Sequence, residues 1–109
     1  ITDDSFISEL KDGKIKNYQV SPKDFGLSYG NFESIKALSP QESFEKVSLA
    51  FAGREGSVQD MIAINSAAAL KLSGIVGSLK DGVELSKSAM NEGLAQSKLE
   101  SYVKMSNNL

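Results

Sequence analysis

Apolar and polar positions alternate along two short runs, Ser5 to Lys11 and Lys14 to Val20, which flank Asp12-Gly13. A two-residue Asp-Gly connection between strand-like runs predicts a β-hairpin, because a type I′ turn needs positive φ at both central residues. Such a loop sets the register: Leu10 faces Ile15, Glu9 faces Lys16 and Ile7 faces Tyr18. The apolar and opposite-charge pairs each contribute roughly 0.2–1 kcal/mol. Lys11 opposite Lys14 is mildly unfavourable, but the turn end is solvated. A lone hairpin is marginal in water, so this one is expected to lean on a larger sheet or on helices.

Beyond Val20 the period changes from strand to helix. Ser21-Pro22 pairs an N-cap with Pro at the first helical position, and Gly26 stops a single turn over Lys23 to Phe25. Asn31 to Ala37 predicts a second short helix with Phe32 and Ile35 on one side. Ser39-Pro40-Gln41-Glu42 predicts a capping box, with Glu42 closing it, and Phe44, Val47 and Phe51 follow as an apolar stripe that Gly53 ends. Ser57-Val58-Gln59-Asp60 starts a helix running to about Ser73 and ending at Gly74. Its middle, Met61 to Leu72, is apolar on most faces and predicts a helix buried nearly all round. Its three successive alanines, Ala67, Ala68 and Ala69, permit close approach of a neighbour. Ser78-Leu79-Lys80-Asp81 starts another helix, with Leu79, Val83 and Met90 inward and Gly82 as a weak point. Gly93 breaks it, and Leu94 to Met105 forms the last helix, with Leu99, Tyr102 and Val103 inward. Ser106 to Leu109 is expected to fray.

Composition narrows the function classes. The chain has 109 residues, with 40% hydrophobic and 24% charged, which are globular values. The net charge is −2 and only Arg54 of the 12 basic residues is an arginine, which disfavours nucleic-acid binding. There is no Cys, which excludes disulfides and thiolate metal sites, and no His, the commonest general base. No apolar run approaches the ~18 residues of a membrane span, and no signal-peptide pattern opens the chain, so a cytoplasmic location is expected. The opening Ile1-Thr2-Asp3-Asp4 lacks Met and leads at once into a strand, so a piece of a longer chain is expected.

Each candidate for chemistry has a plainer reading. Asp3-Asp4 has the hard oxygen ligands of a Mg²⁺ site, but adjacent strand residues point to opposite faces, so a solvated strand start is expected. Gly53-Arg54-Glu55-Gly56-Ser57 leads into a helix N-terminus yet lacks P-loop spacing, and it reads as an inter-helix turn. Gly26 and Gly30 read as turn glycines. Asn65, with Ser66 beside it, falls in the most apolar helix, where a buried amide is expected to bond to backbone. Tyr18, Tyr29 and Tyr102 are too dispersed to form a stacking platform. The residues alone therefore give a helical domain with a β-hairpin, docking to something larger.

The run Glu9-Leu10-Lys11-Asp12-Gly13-Lys14-Ile15, with Tyr18, Val20 and Pro22-Lys23-Asp24-Phe25-Gly26-Leu27, resembles a segment near the end of the anthranilate phosphoribosyltransferase family. Asp60 to Leu70 is similar to that family's Asn-Ala-Ala-Ala-Ala-Leu helix, with Ser66 in place of the usual alanine. Leu79-Lys80-Asp81-Gly82-Val83-Glu84-Leu85 and Ala95 to Leu99 are similar to its last two helices. The four blocks occur in family order and cover nearly the whole chain.

The resemblance implies an enzyme with a small helical domain and a larger α/β domain, of the nucleoside phosphorylase and phosphoribosyltransferase type. It implies transfer of phosphoribose from phosphoribosyl pyrophosphate to anthranilate in tryptophan biosynthesis, with Mg²⁺ and release of pyrophosphate, in a homodimer. The family's Gly-Thr-Gly-Gly-Asp loop, its Lys-His-Gly-Asn-Arg stretch and its metal-binding Asp-Glu pair do not occur here. That Asp-Glu pair would precede Ile1, and Asp3 and Asp4 are out of register with it. No catalytic, substrate-binding or metal-ligating residue is therefore assigned to this chain.

The expected fold class is α+β for this chain, an N-terminal β-hairpin followed by four or five helices, as the C-terminal segment of the larger α/β domain. The expected divisions are a hairpin over 1–20, short helical turns and loop over 21–38, and helices over 39–106, with the small helical domain outside the chain. The expected role is scaffold, inactive alone, with the remainder of the parent chain as partner. The alternatives are a stand-alone interaction module and a same-fold protein with a different ligand such as nucleic acid.

Overall fold

In the computed structural model, which describes residues Ile1–Leu109, the two alternating runs form β1 (Ser5–Lys11) and β2 (Lys14–Val20). They pair antiparallel in the expected register, from Ser5 opposite Val20 to Lys11 opposite Lys14. Asp12 and Gly13 turn the chain at φ 53° and 76°, the left-handed pair that a type I′ connection requires. The sheet has these two strands only.

A 3-10 turn follows over Pro22–Phe25. The Ser21 amide donates to Asp24 Oδ2 at 2.7 Å, so Asp24 supplies the cap acceptor. The next helix, α1, is shorter than the apolar spacing suggested, covering Phe32–Ile35 rather than reaching Ala37. Asn31 serves as its cap, accepting the Glu33 amide at 2.9 Å, and Lys36 is already extended at ψ 136°. Phe32 is exposed and only Ile35 is half-buried.

The remaining helices are α2 (Pro40–Phe51), α3 (Ser57–Leu72), α4 (Leu79–Asn91) and α5 (Leu94–Asn107). Five α-helices after a hairpin bear out the α+β class. Ser39 caps α2 through the Glu42 amide at 3.1 Å. The Glu42 carboxylate reaches one residue further back than a capping box requires, accepting the Leu38 amide at 3.1 Å. Ser78 caps α4 through the Asp81 amide at 3.1 Å. Ser57 is not a cap: Gly56 takes that place, and the Ser57 hydroxyl accepts the Asn31 amide at 3.2 Å, tying α1 to α3.

The centre of the molecule is the crossing of α3 and α4, where Ala63, Ala67, Val83 and Met90 are buried with Phe25 of the 3-10 turn. Gly82 makes the crossing possible. A Cβ there would lie 2.7 Å from Ala67 Cβ and 2.8 Å from Ala67 Cα, so the backbones touch where both residues are small. Gly82 is therefore a contact residue, and its weak helix propensity is offset by close packing.

Two expectations about burial, on α3 and α5, fail for one physical reason: only 10 of 109 residues are buried, so apolar stripes here, that of α2 included, are only partly covered. On α3 only Gln59, Ala63 and Ala67 are buried, while Met61 and Leu72 face out. On α2, Ala50 is buried and Phe44 is exposed, with Val47 and Phe51 half-buried. On α5, Leu99 is half-buried, but Tyr102 and Val103 are exposed, and the helix continues to Asn107 without fraying at Ser106.

Candidate functional site

The hairpin stands beside α3 and α4 and encloses a cleft of about 480 Å³ with them. Ile7, Tyr18 and Val20 form the strand wall, and Ile64, Ala68 and Leu79 form the helix wall. The strand residues reach this wall because Ile7 and Tyr18 are register partners and therefore share a face. Glu9 and Lys71 span the cleft as an ion pair, with Lys71 Nζ 3.1 Å from Glu9 Oε1 and both side chains half-buried. This pair joins residues far apart in sequence, and the local pattern carries no sign of it.

A second polar group fastens the root of the hairpin. The Tyr29 hydroxyl donates to Asp4 Oδ1, and Gln19 Nε2 donates to Asp4 Oδ2 at 2.9 Å. Asp3 Oδ1 accepts the Asp4 amide at 2.8 Å, and the Gly30 amide donates to the Ile1 carbonyl at 2.9 Å. The bond to Asp4 raises the Tyr29 pKa, since ionisation would remove the donated proton and place a phenolate beside the carboxylate.

Among the other residues weighed for chemistry, Asn65 is exposed and not buried as its apolar neighbours suggested. It lies on the cleft-facing side of α3, and its Nδ2 donates to the Met61 carbonyl at 2.9 Å, the backbone bond expected. Ser66 is half-buried beside it. The stretch Gly53 to Gly56 connects α2 and α3 as a turn, with the Arg54 amide donating to the Leu49 carbonyl at 3.0 Å. Gly26 closes the 3-10 turn at φ 76°, while Gly30 packs against Ser57.

Gln59 is the residue whose position the sequence reading missed. It is fully buried, with Nε2 donating to the Ala50 carbonyl at 3.2 Å and to Asn91 Oδ1 at 3.0 Å. One amide thus links α2, α3 and α4. The four-residue spacing of Gln59, Ala63 and Ala67 places all three on one helix face, and that is the signal that could have revealed it. Asp60 beside it pairs with Lys87 at 2.6 Å, a second α3–α4 link.

The arrangement can hold elements together and shield an apolar cleft. It does not bring three His, Cys, Asp or Glu side chains to one point. No helix is long and apolar enough to cross a membrane.

Comparison with known proteins gives a consistent set of relatives. An enzyme named anthranilate phosphoribosyltransferase from Vesicomyosocius okutanii is 37% identical over 106 residues, covering 97% of this chain and 31% of the relative. One of the same name from Neisseria meningitidis serogroup C is 39% identical over 104 residues, covering 94% of this chain and 30% of the relative. The chain thus spans about 30% of the length of these curated relatives. The crystal structure of anthranilate phosphoribosyltransferase from Thermus thermophilus superimposes with a TM-score of 0.75 at 29% identity, covering 81% of this chain and 27% of that one. The family model described as "Glycosyl transferase family, a/b domain" matches residues 1–96, from the hairpin root through α4 into the start of α5, and the chain accordingly belongs to that family.

Proposed function

We propose that this chain is the C-terminal scaffold of the α/β domain of an anthranilate phosphoribosyltransferase. The parent enzyme transfers phosphoribose from phosphoribosyl pyrophosphate to the amine of anthranilate, releasing pyrophosphate, in the cytoplasmic synthesis of tryptophan. The observation that carries this reading is the end-to-end match, at 37–39% identity, to enzymes of that name. The resemblance assigns dimerisation of the parent to its small helical domain.

In this reading the chain contributes position and supplies no reacting group. The Glu9–Lys71 pair and the Asp4–Tyr29 bond hold the hairpin against α3 and the segment before α1. A hairpin so fixed holds the phosphate-binding loops of the parent in register, where a displacement of about 1 Å can cost a hundredfold in rate. The parent's Mg²⁺ does not fit the acidic residues at the start of this chain. Both Asp4 carboxylate oxygens accept side-chain hydrogen bonds, and Asp3 Oδ1 accepts a backbone one. This chain's part in the parent is therefore to position other elements, with no metal ligand of its own.

The test is segment exchange. The matched segment of the Neisseria meningitidis enzyme is replaced by this chain, and formation of phosphoribosylanthranilate is followed by fluorescence. The hybrid is expected to turn over and the isolated chain is not. A soluble hybrid without activity, or turnover by the isolated chain, overturns the proposal.

A further inference from the structure

Strand alternation divides the hairpin into two faces, and each carries three large apolar side chains. Ile7, Tyr18 and Val20 look into the cleft toward α3. Phe6, Leu10 and Ile15 alternate onto the other face and are 84%, 68% and 70% exposed, with Leu10 also touching the cleft. A surface hairpin carries polar residues on its outer side, whereas strands inside an α/β layer structure are apolar on both because helices cover both.

The outer face is also prepared for burial. Between Phe6 and the Leu10–Ile15 pair, the Ser8 hydroxyl donates to Asn17 Oδ1 at 2.7 Å, and Gln19, opposite Phe6, donates to Asp4 at the hairpin root, so these polar groups have partners.

The size of the whole surface points the same way. The chain exposes 7640 Å². A compact monomer of its 11.7 kDa mass exposes about 5,900 Å². The excess, about 1,700 Å², is roughly twice what one partner contributes to a standard interface.

We propose that the outer hairpin face, Phe6, Leu10 and Ile15, is a docking surface for an amphipathic helix from the part of the family's α/β domain that this chain does not span. This rests on the proposed function for the identity of the partner, and it adds the face and the element. A helix is the fitting occupant because a sheet face in this architecture is covered by the apolar stripe of a helix.

The chain has no Cys, so an Ile15→Cys variant carries a single thiol on this face. Maleimide labelling at that site, read by peptide mass, compares the isolated chain with the Neisseria meningitidis exchange hybrid. Labelling is expected to be fast in the isolated chain and to slow by about tenfold or more in the hybrid, as for a site that reacts only on local opening. Equal rates in both overturn the docking. A slow rate in an isolated chain that sediments as a dimer also overturns it, by assigning the face to a second copy. Protection in a hybrid that lacks activity leaves the docking standing and refutes the proposed function instead.

Should the hybrid be insoluble, the remaining part of that enzyme is expressed with a tag and mixed with this chain. Retention of the wild type, and its loss on Phe6→Ser, Leu10→Ser and Ile15→Ser together, supports the docking. Failure to retain the wild type, or undiminished retention of the triple variant, overturns it.

Discussion

At the scale of single residues, close contacts decide the outcome of substitution more than propensity does. Replacing Gly82 by Ala should gain up to about 1 kcal/mol of helix propensity. The new Cβ would nevertheless fall 2.7 Å from Ala67 Cβ, and overpacking of this kind costs about 1–3 kcal/mol. We expect Gly82→Ala to lower the thermal midpoint; a rise would show that the α3–α4 crossing relaxes freely. Gln59→Leu leaves Asn91 Oδ1 without its donor, while the Ala50 carbonyl keeps only the Gly53 amide at 3.1 Å. Urea titration should find it about 1–3 kcal/mol less stable, and an unchanged midpoint would show that this amide does not link the helices. Tyr29 gives a pH dependence. Its folded pKa is raised, so its contribution to stability is complete below the ordinary tyrosine pKa of about 10 and is lost as pH rises through the folded value. Asp4→Asn should bring the ultraviolet titration of Tyr29 down toward the ordinary range. A titration unmoved by that change would exclude the Asp4 carboxylate as the cause.

At the scale of elements, what the sequence disclosed depends on how local each cause is. The hairpin register follows from Asp12-Gly13 alone, and the caps at Ser39 and Ser78 follow from a side chain three residues before its partner amide. These were legible. The burial of Gln59, the exposure of Tyr102 and the Glu9–Lys71 pair depend on which distant element arrives, and a periodic stripe does not say whether a partner is present. For the same reason α3 looked buried all round, although its chain neighbours cover one face only. The cap on α4 is a clean test of a local cause. Ser78→Ala should destabilise by about 1 kcal/mol, measured by denaturation, whereas Ser57→Ala should act through the link to Asn31 and leave the start of α3 intact.

At the scale of the whole molecule, the thin core and broad apolar exterior describe one layer of a larger domain. A radius of gyration of 15.2 Å exceeds the about 13 Å of a compact chain this long, so apolar surface stays open to solvent. The isolated chain should therefore bind a hydrophobic dye. Phe6→Ser, Leu10→Ser and Ile15→Ser together should weaken the signal with the far-ultraviolet circular dichroism unchanged, and an undiminished signal would place the dye elsewhere. The α3–α4 crossing has a further consequence, for the order of events in folding. The two helices are neighbours in sequence, separated only by residues 73–78, so bringing them together closes a short loop at little entropic cost. The hairpin meets α3 only through contacts such as Glu9 with Lys71, across most of a domain's sequence. Substitutions at Ala67 should accordingly slow refolding, while those at Glu9 should chiefly speed unfolding. The helical pair then forms as the nucleus, and the strands dock onto a surface already made.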